Sequence, residues 1–252
     1  IIDPDIAVIT NIGLDHQNFL GPDLASIGRE KVGICRAQRP VVLGSSDLPE
    51  TLNAVIDQVG AQAYRFGDHH KVVGTTLGWQ GGELDAGAIS IPLANAATAL
   101  QAFSLSPFEL TPVMAQVALQ SIRLAGRMQS REHRGRHYIL DVGHNPHAAA
   151  YIARQFGAQK FHLVLGMVQD KDAKGFCSAL AQGALSINFV TLAGPRGCSA
   201  EQLALATGRA NSPQFATLEL ALAQLDRDFP GEPVFIGGSF YTVAAALNLL
   251  EN

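Results

Sequence analysis

The chain has 252 residues, 47% of them apolar and 16% charged, with a formal net charge of −4. That length asks for one large or two modest domains, and the apolar share excludes a disordered chain. The acidic balance argues against a nucleic-acid partner held by phosphate neutralisation, and no run of about 18 uncharged apolar residues is present to cross a membrane.

The opening IIDPDIAVIT carries no initiator Met and no basic leader, so it reads as a chain entered in mid-domain. A β-rich run over Ile6–Ile9 ends in the polar loop T-N-I-G-L-D-H. A helical pattern follows over Leu24–Cys35, then a short strand over Pro40–Leu43, then a helix over Leu48–Val59 stopped by Gly60. From Ala63 to Pro92, short alternating runs broken by Gly74, Gly78, Gly81 and Gly82 predict β-hairpins. Two Ala-rich helices, Asn95–Phe103 and Thr111–Ile122, close this half.

The second half alternates more regularly. Strands over Tyr138–Val142, Phe161–Met167, Ile187–Leu192 and Val234–Ile236 are separated by helical patterns, the rhythm of βαβ units and a mostly parallel sheet. The halves join near Ala125–Gly126. The basic stretch from Arg131 to His137 reads as a solvated turn between two strands. Cys35, Cys177 and Cys198 are odd in number and form no CxxC pair, so neither a disulfide framework nor a zinc ribbon is indicated and a reducing cytosol fits best.

A parallel sheet places ligands in the loops at the carboxyl ends of its strands. Five such loops mix Gly with short polar side chains: Asn11–His16, Asp141–Pro146, Gly166–Asp172, Gly194–Gly197 and Gly237–Ser239. Glycine lets backbone approach a ligand, so five loops in register point to a nucleotide- or phosphate-handling α/β protein.

The segments TNIGLDH, GPDLASIGREKVGI, NAATAL, GR, DVGHNPHAA and GSFYTVA occur in the order found in folylpolyglutamate synthases and dihydrofolate synthases, and the chain resembles that family of Mur ligases from Pro4 to about Leu250. The resemblance implies an α/β protein: residues 1–125 as the remainder of a Mur-ligase-type central ATPase domain, and residues 126–252 as a Rossmann-like C-terminal domain. It implies an ATP-dependent ligase that adds L-glutamate to dihydropteroate or a folate through an acyl phosphate, using ATP and Mg2+. A cytoplasmic monomer is expected, with neither nucleic-acid nor membrane partners. The likeness leans toward the bacterial bifunctional type.

Site residues follow from the same resemblance. His16 would be a magnesium ligand, against the alternative of a loop His at a strand end. Lys31 would be carbamylated and support the metal; an ε-amine whose charged form is disfavoured can add carbon dioxide. Its alternative is a surface Lys paired with Glu30 or Glu50. Asp141 would serve the nucleotide ribose and His144 the transferred phosphate, while Asn145 serves equally well as a helix N-cap before Pro146. Arg127, in Ala125-Gly126-Arg127 where the family has Pro-Gly-Arg, would clamp phosphate oxygens. Asn95 would lie near the adenine or simply cap its helix. Ser239 and Arg196 are the candidates for the glutamate substrate, or are loop structure. His69 and His70 read as exposed loop residues.

No G-x-x-x-x-G-K-[ST] run occurs in the 252 residues, so the family's ATP grip is missing and the chain by itself is expected to be inactive. Two rivals stand beside the folate ligase. One is another Mur-type amino-acid ligase of cell-wall synthesis; the other is a non-catalytic nucleotide-binding remnant.

Overall fold

The computed structural model describes residues 2–14 and 17–251. Two compact units divide it, Ile1–Ile122 and Arg123–Asn252.

In the first unit the order is β1 (Ala7–Ile9), α1 (Gln17–Leu20), α2 (Leu24–Val32), β2 (Pro40–Leu43), α3 (Thr51–Val59) and β3 (Gln62–Arg65). Strands β1, β2 and β3 form one parallel sheet in that order. Helix α2 starts where Asp23 Oδ1 accepts the Ser26 amide at 2.7 Å. Helix α3 stops where Gly60 turns left-handed at φ 73. Val41, Leu43, Leu52, Ile56, Val32 and Ile9 form the core between them. Gly28 on α2 lets the helix approach α3 closely: a Cβ there would meet Leu52 Cδ1 at 2.4 Å, so that side chain would have to shift.

The glycine-broken stretch divides in two. Its first strand, β3, is not part of a hairpin; it pairs in parallel with β2 through the α3 crossover. The rest is an antiparallel meander of β4 (Lys71–Val73), β5 (Thr76–Trp79) and β6 (Gly82–Asp85). Its inward residues Leu77, Trp79 and Leu84 pack on α4 (Leu93–Ser104) and α5 (Pro112–Ser121). Helix α4 begins two residues before the expected start, with Pro92 at the cap position, so Asn95 lies inside the first turn and is not the N-cap. His70 is a second correction: only 1% exposed, it lies beneath α4 rather than in solvent, with Thr98 Oγ1 3.3 Å from its Nε2.

The second unit runs β7 (Gln129–His133), β8 (Arg136–Asp141), α6 (Pro146–Phe156), β9 (Phe161–Leu165), α7 (Ala173–Leu180), β10 (Ala184–Val190), α8 (Ala200–Ala206), β11 (Gln214–Phe215), α9 (Leu218–Asp228), β12 (Val234–Gly237) and α10 (Phe240–Leu250). All join one sheet in the order β11-β10-β9-β12-β8-β7, parallel except for the β7–β8 hairpin. Alternate strand residues face opposite sides, as the pleat requires. Ile139, Leu163, Leu165 and Phe235 pack with α6, α7 and α8, whereas Tyr138, Leu140, Val164 and Ile236 pack with α9 and α10. The result is a doubly wound α/β sheet of Rossmann type.

The β7–β8 turn, Arg134 (φ 50) and Gly135 (φ 76), has the paired positive φ of a tight hairpin. Arg136 in the same basic stretch is not solvated. Its guanidinium is 3% exposed, donating to Asp226 Oδ1 at 2.7 Å, to Leu225 O at 2.9 Å and to Phe229 O.

Candidate functional site

From β8 the chain crosses to β9 and proceeds outward through β10 and β11, then returns as β12 between β8 and β9. The reversal is a topological switch point, where an open α/β sheet opens a crevice at its carboxyl edge. Asp141, Gly237, Leu165 and Phe189 stand side by side in the register of four adjacent strands, so the loops that follow them emerge together. Each of those loops leads into a helix with a side-chain cap: Asn145 on α6, Asp172 on α7, Ser199 on α8 and Ser239 on α10.

Asp141 is the hub of this edge. It is buried, its Oδ1 accepts the Gly143 amide at 2.7 Å, and its Oδ2 accepts the Met128 amide at 2.9 Å. Burial pushes its carboxyl above the ordinary carboxylate range; the two amides, Arg127 and His144 act against that rise. Through Met128 the carboxylate fixes the loop that carries Arg127. That loop is held in a demanding conformation, with Gly126 at φ 64 and Met128 at φ 42. Its other end is tied by Val142 N donating to Gly126 O at 2.8 Å and Gly126 N donating to Gln129 Oε1 at 2.8 Å. Gly126 has no room for a side chain, since a Cβ would meet Val142 Cγ1 at 2.7 Å.

Arg127 is thereby presented on the surface beside the buried carboxylate. Its guanidinium carbon lies over the Phe240 ring, 5.6 Å from the centroid. The His144 ring is 6.4 Å from the same ring. His144 Nδ1 donates to Val142 O at 3.0 Å, which makes Nε2 the acceptor in the neutral ring. Asn145 is the N-cap of α6: its Oδ1 accepts the Ala148 amide at 2.9 Å, with Pro146 in the first turn.

Ser239 is only 4% exposed, and its hydroxyl serves the fold. Thr242 Oγ1 donates its proton to Gly166 O at 2.9 Å, so the 2.8 Å contact between the two hydroxyls has Ser239 as donor. Ser239 Oγ also accepts the Thr242 amide at 3.0 Å, as the cap of α10. Gly238 at φ 99 completes this junction, where a Cβ would meet Gly166 O at 2.7 Å.

Arg196 sits apart from this cluster, exposed, donating to Asp170 Oδ1 at 2.9 Å. The pair ties the loop after β9 to the loop after β10, together with Gln169 N donating to Arg196 O at 2.9 Å. Lys171 Nζ is 3.9 Å from Asp170 Oδ2.

The remaining candidates belong to the first unit. Lys31 is exposed on the last turn of α2. Asn95 is exposed on the first turn of α4. His16 lies outside the described residues. Among the described residues, no three His, Cys, Asp or Glu side chains group as metal ligands.

The structure therefore brings Arg127, Asp141, His144 and Ser239 to one edge, while Arg196 lies on neighbouring loops. Sequence reasoning missed Phe240 and the Met128 amide. Phe240 stood in the GSFYTV segment beside the Ser that drew attention; nothing in the sequence marks Met128, whose part is played by its backbone.

Residues 126–240 match the family described as Mur ligase, glutamate ligase domain. The dihydrofolate synthase/folylpolyglutamate synthase of Escherichia coli is 34% identical over 262 residues, covering 100% of this chain and 61% of that relative. The solved structure of E. coli FolC in complex with DHPP and ADP superposes with a TM-score of 0.90 at 33% identity, covering 99% of this chain and 62% of the other. A bifunctional folylpolyglutamate synthase/dihydrofolate synthase with Mn, AMPPNP and L-glutamate bound gives a TM-score of 0.90 at 37% identity, covering 100% and 63%. The chain thus spans about three-fifths of the length of the relatives it matches. No described helix is long and apolar enough to cross a membrane.

Proposed function

We propose that the chain, whose residues 126–240 match the Mur ligase, glutamate ligase domain and which is similar from end to end to dihydrofolate synthase/folylpolyglutamate synthases, is part of an ATP-dependent ligase of the Mur type joining L-glutamate to dihydropteroate or to a folate carboxylate. On this reading residues 1–125 are the remainder of the central ATP-binding domain and residues 126–252 the ligase domain. The observation that carries the reading is the convergence of Arg127, Asp141 and His144 at the switch point of a doubly wound sheet.

The γ-phosphoryl group of ATP passes to the substrate carboxylate, giving an acyl phosphate and ADP. The glutamate amine then attacks the acyl carbon, forming the C–N bond; the acyl C–O bond breaks, its electron pair leaves with phosphate, and the amine gives up a proton. Such chemistry asks the protein for positioning and charge neutralisation more than for bond-making groups. Arg127 suits a phosphate because its fork of N–H donors matches two oxygens at once. His144, its ring oriented by Nδ1 donating to Val142 O, lies beside the Phe240 ring that carries Arg127 and would stand near the transferred phosphate. Asp141 acts chiefly by holding the Arg127 loop, and each of its oxygens keeps a second lone pair with which a ribose hydroxyl could bond.

Magnesium, when bound, neutralises phosphate charge. The described residues alone do not make a metal site, so no step is assigned to it. The assignment of His16 and Lys31 to the metal rests on their LDH and REK segments. Asn95 near the adenine, and Arg196 and Ser239 near the glutamate, belong to the same proposal. Work as a cytoplasmic monomer does too, and the three free cysteines fit a reducing compartment.

The test starts from an intact mass of 26.7 kDa under denaturing conditions. A chain of that mass should bind ADP with Mg2+ measurably but show no turnover with ATP, dihydropteroate and glutamate. Turnover would overturn the view that the phosphate grip lies elsewhere, and absence of ADP binding would remove the nucleotide role of the Arg127 edge. Activity of the whole protein on a cell-wall precursor instead of a pteroate would favour the sister ligases.

A further inference from the structure

Phe240 is a large aromatic side chain left 58% exposed at the first position of α10. Its neighbours explain its position better than the core does. The guanidinium of Arg127 lies over its face, and the His144 ring lies beside it at 6.4 Å. Three elements therefore bring one residue each to a single surface: the loop before β7, the loop after β8 and the start of α10.

A guanidinium is weakly hydrated and planar, so an aromatic face attracts it while its in-plane N–H donors stay turned outward. An exposed Arg without such a seat samples many rotamers, and ordering it on binding costs affinity. The backbone on either side of Arg127 is already fixed by Gly126 N on Gln129 and by Asp141 on the Met128 amide. The ring supplies what that leaves open, the direction of the side chain.

We infer that Phe240 is a positioning residue: its ring seats the Arg127 guanidinium and so prepares it to receive an anion of the phosphate class. The inference rests on the nucleotide reading of Arg127 given above and extends it to a residue that touches no phosphate itself.

The test is a double-substitution cycle on the full chain, read by calorimetric titration of ADP with Mg2+. Arg127→Ala should weaken binding about tenfold or more, as loss of a charge-assisted contact does. Phe240→Leu should weaken it about two- to fivefold, the range for a cation–π contact at an exposed site. The double variant should bind no worse than Arg127→Ala alone, because Phe240 acts only through that arginine. Phe240→Trp should restore affinity. As a check on the seat itself, the Arg127 Nε–Hε resonance should be shifted upfield by the ring and lose that shift in Phe240→Leu.

Unchanged affinity in Phe240→Leu, with a clear loss in Arg127→Ala, would overturn the inference and leave the nucleotide reading standing. A loss from Phe240→Leu that persists in the Arg127→Ala background would also overturn it, since the ring would then act elsewhere. Wild-type affinity in Arg127→Ala would remove the reading and the inference together.

Discussion

Replacing His70 with phenylalanine should flatten the acid limb of the first unit's stability profile. His70 is 1% exposed, its Nδ1 has no hydrogen-bond partner among the described residues, and its ring meets Phe66 edge-on with centroids 5.3 Å apart. Thr98 Oγ1 donates to Ala94 O at 2.7 Å, so the imidazole Nε2 must be the donor in the 3.3 Å contact with Thr98 and the ring is the neutral Nε2–H tautomer. Burial, with a smaller contribution from the neighbouring His69, pushes its pKa from 6.5 down to about 4. The native ring therefore resists a proton that the unfolded chain accepts. The stability this contributes is complete above pH 6.5 and disappears as pH falls from 6.5 to about 4. The gap corresponds to about 3 kcal/mol, at 1.36 kcal/mol per pH unit. Trp79 is the chain's only tryptophan and belongs to the same unit, so its fluorescence in urea follows this unit. Between pH 7 and 4 the wild-type chain should lose about 3 kcal/mol more than the His70→Phe variant, whose carboxylates titrate alike. Equal losses in the two proteins, or a His70 ring titrating near 6.5 by NMR, would refute the reasoning.

Thr242→Val removes the donor to Gly166 O and the acceptor for Ser239 and should destabilise the second unit by about 1–3 kcal/mol, measured by hydrogen exchange of β9 and β12 amides. Gly238→Ala should cost about 2 kcal/mol or more in the same measurement, because φ 99 strains an L-residue and its Cβ would press on Gly166 O. Arg196→Ala should change stability by less than about 1 kcal/mol, since its ion pair with Asp170 is solvated; a larger loss would mean that the two loops depend on it. Asp141→Asn keeps one of two backbone bonds and sets an amide donor against the other, costing about 1–3 kcal/mol in a denaturation titration. Because burial raises the wild-type carboxyl, its ionisation lowers native stability as pH rises above 3.8, and the Asn variant should lack that slope.

Elements with strong local signals were legible in the sequence. Pro40–Leu43 is a strand with the expected bounds, and Gly60 ends α3. The β-α rhythm of the second half gave the parallel sheet. What local pattern could not carry was partnership. Gln62–Arg65 has the look of a hairpin strand, yet its partner is decided by the α3 crossover. Arg136 and His70 are polar letters in polar surroundings, and only the fold supplies the carbonyls of Leu225 and Phe229, or the α4 face, that bury them.

The same distinction separates the candidate site into two kinds of residue. In D-V-G-H-N-P, Asn145 and Pro146 start α6, while Asp141 ties two loops. In G-S-F-Y-T-V, Gly238, Ser239 and Thr242 lock the start of α10 against the end of β9. Most letters of both segments are thus consumed by the close approach of three loops at the switch point, and their chemistry is internal. Among the side chains that this junction leaves at or near the surface, Arg127, His144 and Phe240 are brought together. Substitutions in the first group should therefore lower stability and affinity together, whereas substitutions in the second should lower affinity while the unfolding free energy in urea stays within about 0.5 kcal/mol of wild type. A member of the second group that unfolded the unit, or of the first that altered binding alone, would break this division.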